Sequence, residues 1–183
     1  MTLNNILNEG ENMSAIDDKY FALGGPGGFL GNPKDEGAGS GEMNTTDGHG
    51  RCRDFEGGSI YWKPETGAHE VHGYIRIKWA QLGGTRGFLG FPLTDELGAP
   101  DGHGRYNHFE GGCIYWKSET HAHEVHGAIK DKWASMGWER SRLGYPISDE
   151  KKTSDGRGRF SDFEGGTILW TPERGAEVRS RID

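Results

Sequence analysis

The sequence repeats itself three times, and this restricts the fold more than any local feature. Phe55-Glu56-Gly57-Gly58 returns at Phe109-Glu110-Gly111-Gly112 and at Phe163-Glu164-Gly165-Gly166, an interval of 54 residues. Trp62, Trp116 and Trp170 keep that interval, as do Asp47-Gly48, Asp101-Gly102 and Asp155-Gly156. Leu89-Gly90-Phe91-Pro92 matches Leu143-Gly144-Tyr145-Pro146 at the same interval, and Leu30-Gly31-Asn32-Pro33 at 59. Unit one therefore carries a small insertion, placed within the Gly/Ser-rich stretch Gly37 to Thr46. Recurring units of this size are supersecondary structures that bury their apolar faces against one another. The chain divides into a polar leader at 1–15, expected to be flexible, and a single domain at 16–183. That domain holds three units, at 16–73, 74–127 and 128–183. Ile182 falls on the phase of Ile16, where unit one begins, and neither end carries an atypical capping unit. Both features predict a closed, propeller-like arrangement with approximate threefold symmetry.

Each unit reads as a short helix, a glycine-rich turn and a β-hairpin, making a β-rich α+β repeat protein. Ile75, Trp79 and Leu82 stand at i, i+4 and i+7, as do Ile129, Trp133 and Met136, and Ile16, Tyr20 and Leu23. This is one face of a helix of two to three turns, ended by Gly83-Gly84 or Gly137. Proline in the following turn argues against helix or central strand there. Gly104 to Phe109 and Cys113 to Trp116 flank Glu110-Gly111-Gly112 as a hairpin, and Ala122 to Val125 is a further extended segment.

Charge and composition exclude some functions. With 21 basic and 28 acidic residues the net charge is −7, which argues against a nucleic-acid surface built on Lys and Arg. No apolar run approaches the ~20 residues of a membrane span, and no signal peptide is evident at the N-terminus. The expectation is a soluble protein, cytoplasmic or released without a signal peptide, with Cys52 and Cys113 reduced.

Three sets of residues are candidates for binding. Asp47, His49 and Arg51 recur as Asp101, His103 and Arg105. An Asp-Gly turn pairing arginine with carboxylate accounts for them structurally, whereas acceptor and fork-like donor side by side also suit sugar hydroxyls. Side chains alternate along a strand, so if Ile60 and Trp62 face the core, Tyr61 and Tyr115 face outward. Glu70 and His72 share a strand face and recur as Glu124 and His126. Together with the Asp/His pairs they form a donor set that a divalent metal could use, although no cofactor is required by any motif. Unit three departs from this pattern, with Arg157, Leu169 and Arg179 in place of His, Tyr and His. Trp138, where unit two has Gly84, is an unshared aromatic.

Leu89-Gly90-Phe91-Pro92, followed by the Gly-Arg…Phe-Glu-Gly-Gly-x-Ile-Tyr-Trp run, resembles the LGFP repeat family over residues 16–183. Such repeats accompany actinobacterial cell-wall enzymes, including mycolyltransferases, and are thought to hold the wall polysaccharide. The resemblance implies a non-catalytic carbohydrate-binding module, here multivalent and lectin-like, with a glycan or polysaccharide as partner and homo-oligomers left open. A structural or protein-interaction scaffold is the alternative. A glycan-active enzyme is disfavoured because every candidate carboxylate recurs in all three units, whereas active sites are singular.

Overall fold

The apolar stripe at i, i+4 forms a helix in every unit: α1 (Ala15–Ala22), α2 (Gly73–Gln81) and α3 (Gly127–Met136). The structure is a computed structural model and describes residues 13–34 and 41–180. Ile16 and Tyr20, Ile75 and Trp79, and Ile129 and Trp133 are the buried residues of the three helices. The Ser14 hydroxyl caps α1 by accepting from the Asp17 N–H at 3.1 Å.

Each helix leads through the turn into a four-stranded antiparallel meander. Unit one forms β1 (Met43–Asn44), β2 (Arg51–Asp54), β3 (Gly58–Lys63) and β4 (Gly67–His72). Unit two forms β5 (Leu97–Gly98), β6 (Arg105–Phe109), β7 (Gly112–Lys117) and β8 (His121–His126). Unit three forms β9 (Lys151–Lys152), β10 (Arg159–Phe163), β11 (Gly166–Thr171) and β12 (Gly175–Arg179). The hairpin and the third extended segment stand where the pattern predicts. The two-residue first strand had no readable signal, being too short to alternate.

Helices and sheets interleave. α2 packs on β4 of the first sheet as well as on β7 and β8 of its own. α3 packs on β7 and β8 of the second sheet as well as on β11 and β12. The first two sheets are therefore covered on both faces, which reverses one expectation. Tyr61 and Tyr115 do not face outward. They meet the following helix, Tyr61 edge-on to Trp79 at 4.6 Å and Tyr115 edge-on to Trp133 at 4.7 Å. Alternation assigned one face to water because it assumed a single covered face. Trp138 is also drawn in, half-buried against Tyr115 and Trp133 with φ 57°.

The three sheets remain separate, and no closed barrel or propeller is found among the described residues. The buried cluster around Ile16, Tyr20 and Phe55 shares no member with the cluster that holds Trp133, Phe163 and Ile168. Strand register explains why the phase argument for closure fails. Ala176 lies opposite Trp170 as Ala122 lies opposite Trp116, so β12 runs in step with β8. Val178 thus stands where Glu124 does and not where Val125 does, one residue out of the phase that sets Ile182 on Ile16. Ile182, the leader up to residue 12 and residues 35–40 of the insertion lie outside the described residues.

The Leu-Gly-aromatic-Pro turn joins these layers. Leu89 is buried in its own unit's core, and the Phe91 N–H donates to the hairpin-tip carboxylate Glu110 at 2.8 Å. Between them Gly90 takes φ +65°, where a Cβ would also press on Glu110, so glycine is required twice over. Tyr145, at the aromatic position of unit three, reaches back into unit two, where a Cβ on Gly104 would stand 2.5 Å from its ring.

Two substitutions follow from this packing. Trp133→Ala empties a fully buried site and is expected to cost ~3–5 kcal/mol in a denaturant melt. Gly104→Ala, which must displace Tyr145 or the Trp116 carbonyl, is expected to cost ~1–3 kcal/mol. A loss below about 0.5 kcal/mol in either variant would contradict the interleaved packing.

Candidate functional site

Where one unit meets the next, charged residues from both form a clasp. Strand β4 supplies Glu70, 2% exposed, whose backbone N–H donates to Asp95 Oδ1 at 3.1 Å. The Glu96 N–H donates in return to Glu70 Oε1 at 2.8 Å. Lys19 from α1 and His69 also reach Asp95, at 2.8 and 3.3 Å. From Glu70 a chain of charges runs outward: Oε2 to His72 Nδ1 at 2.7 Å, then His72 Nε2 to Glu96 Oε1 at 3.2 Å. Arg105 completes it by donating from Nε to Glu96 Oε1. Buried carboxylates are tolerable here because each is met by donors or cations.

The junction between units two and three repeats the chemistry. Glu124 Oε2 meets His126 Nδ1 at 2.7 Å, and Lys78 meets Asp149 at 2.8 Å. His126 Nε2 and Arg159 Nη1 lie 3.4 and 3.2 Å from Glu150 Oε1. Neither is aligned for a hydrogen bond, so this buried oxygen has charged neighbours but no bonded donor.

Beside each clasp, at the start of the helix, a cleft opens over a partly buried tryptophan. At the first junction Gly73, Tyr74, Glu96, Arg105 and Trp116 line a space of about 90 Å³. Tyr74 lies over Trp116 there, ring centroids 5.6 Å apart and planes within 8°. At the second junction Ala128 stands in place of Tyr74. The cleft, lined by His126, Gly127, Glu150, Arg159 and Trp170, widens to about 320 Å³. Among the described residues no aromatic ring stacks on Trp170.

The predicted site residues separate into three places. Glu70, His72 and Arg105 come together at the first junction, and Glu124 and His126 at the second. Arg51 pairs with Glu42 at 3.0 Å within unit one. Asp47 and Asp101 belong to turns instead: their carboxylates accept the backbone N–H of His49 and His103 at 3.1 and 2.9 Å. Those two histidines are exposed at the turn tips. Asp101 also accepts the Tyr145 hydroxyl at 2.6 Å, which ties the turn to the next unit. The arginine partner is thus not the turn aspartate but a glutamate after the proline motif. No hydrogen bond or ion pair among the described residues joins the Asp/His turns to the Glu/His strands. Likewise no three His, Cys, Asp or Glu side chains among them form a metal-holding group. Tyr61 and Tyr115 are packed between helix and sheet, as described. Register also alters the reading of unit three: Val178 lies opposite Ile168 where Glu124 lies opposite Ile114. β12 therefore has no clasping glutamate at that place. Asp95, Glu96, Asp149, Glu150, Arg159 and Tyr74 complete these junctions although none of them is among the residues that the sequence pattern singles out. The recurrent Asp-Glu after each full proline motif was the available signal.

Electrostatics give the clasp a pH dependence. The hydrogen bond to Glu70, outweighing burial, raises the His72 pKa, and Glu124 does the same for His126. Burial raises the carboxyls of Glu96 and Glu150. Burial opposes ionisation of Asp95 and Asp149 too, but their histidine and lysine partners and a backbone N–H bring both down to about 2. For the histidines the folded pKa exceeds the ordinary value of 6.5. Their contribution is complete below that pH and disappears as pH rises through the folded value. Thermal midpoints of the unmodified chain are expected to fall between about pH 6 and pH 8. A His72→Gln, His126→Gln variant should fall less over the same interval. Identical slopes would remove the histidines from the clasp.

A scan against known families matches the LGFP repeat at residues 38–87, 89–141 and 143–181. No curated protein matches the chain closely enough to count as a relative. The second and third matches begin at Leu89 and Leu143 and run through the following helix or strand. Their phase thus joins sheet two to α3, one of the two helices that pack on it. Three matches over most of the chain place it in the LGFP repeat family.

Proposed function

We propose that the chain is a non-catalytic carbohydrate-binding protein that recognises glycan or cell-wall polysaccharide at shallow clefts between its units. The observation that carries this reading is the cleft at the second junction. It combines a partly buried indole, Trp170, with a guanidinium, a carboxylate and an imidazole along one edge. Sugar rings present apolar C–H faces to such an indole and hydroxyls to such an edge, while the polar groups fix orientation. The family resemblance points the same way. Binding without reaction accords with carboxylates that recur from unit to unit and are engaged in holding the units together. One shallow cleft binds weakly, because a stacked ring and a few hydrogen bonds barely exceed the entropy cost of association.

The test is a glycan array followed by calorimetry and chromatography of the same oligosaccharides after incubation. Expected is saturable binding with the oligosaccharide recovered unchanged. Absence of binding across the array would defeat the proposal, and cleaved or transferred products would replace it with an enzyme.

A further inference from the structure

The first junction displays, in its own side chains, what fits over the tryptophan. Tyr74 leaves 64% of its surface exposed, so its ring does not fill a core. It nonetheless lies parallel to Trp116, with its ring against the Glu96–Arg105 edge of the cleft. A flat six-membered ring with one hydroxyl thus already occupies this cleft, covalently attached. At the equivalent place in the second junction Ala128 has only a methyl group, and the indole of Trp170 is left unstacked.

We propose that Tyr74 is a built-in plug, and that the open cleft at the second junction takes a neutral sugar ring lying flat on Trp170 as Tyr74 lies on Trp116. This rests on the carbohydrate-binding reading. Charge chooses the ligand class. Glu124 and Glu150 face one guanidinium, Arg159, and one imidazole, His126, so the wall carries no excess of positive charge for an anion. Glu150 lines the cleft beside them, and a carboxylate is only an acceptor. The carboxylate on this edge repels an anionic ligand and accepts from a hydroxyl, the donor that a neutral sugar brings. Arg159 keeps further N–H groups for the ring's oxygens. At about 320 Å³ the cleft is at the small end of ligand sites, matching one or two rings rather than a long chain.

The test titrates the full chain with methyl glycosides of neutral hexoses and pentoses and with methyl glucuronide. It is repeated on Ala128→Tyr, which installs the plug, and on Tyr74→Ala, which removes it. Both positions are exposed, and thermal melts will verify that the variants remain folded. A neutral glycoside should bind the unmodified chain at least tenfold better than the glucuronide. Ala128→Tyr should weaken that binding at least tenfold, and Tyr74→Ala should add one site per chain. If neutral glycosides bind the unmodified chain and Ala128→Tyr equally, this site is wrong and the carbohydrate reading survives. A preference for the glucuronide would overturn the ligand class alone. If no member of the panel binds any of the three proteins, the inference and the reading beneath it both fail.

Discussion

The structure depends on a helix being shared between two sheets. A four-stranded meander of this size cannot bury enough apolar surface alone, and a helix of two to three turns is not stable by itself in water. Placed between the sheet before it and the sheet of its own unit, each of α2 and α3 packs against both. The aromatic contacts Tyr61 to Trp79 and Tyr115 to Trp133 are the seams of that arrangement. Stability is therefore a property of neighbouring units rather than of any one unit, as in other repeat proteins.

The charged clasp follows from the same layering. Once a sheet is covered on both faces, the end of its last strand is trapped against the next unit. Its polar groups must then be satisfied from across the junction. Glu70 and Glu124 meet this requirement through the Asp-Glu pair after the proline motif, whose Asp carboxylate accepts their backbone N–H and whose Glu N–H donates to their carboxylate. A pair of this kind contributes less to stability than its Coulomb attraction suggests, because desolvation offsets much of the gain. Its larger effect is to fix the spacing between units. That spacing leaves a cleft beside each clasp, and one residue at the helix start, Tyr74 or Ala128, decides how open it is. Equivalent scaffolding can thus give unequal sites.

Much of this was legible in the residues. The period of 54, the helix stripes, the hairpin at Glu110-Gly111-Gly112 and the family resemblance all follow from spacing and residue type. The pairing of Glu70 with His72 was readable too, because alternation puts them on one face of a strand. Less accessible were contacts between residues about 25 positions apart, such as Glu70 with Asp95 or His72 with Glu96. Within one unit Asp47 and Arg51 are closer in sequence than Arg51 and Glu42. Proximity in the chain therefore favoured the wrong carboxylate.

What the sequence determined by itself is what local physics decides: periodicity, turn chemistry, and which residues are able to be core. A repeat of 54 residues with one apolar helix face and one glycine-tipped hairpin has few ways to fold as a unit. How the units meet was decided only by tertiary structure. Whether Tyr61 faces water or a neighbour, and whether three units close or stack, depends on the second face of each sheet. That face is buried by a helix from the next unit, and no spacing within a single unit encodes it.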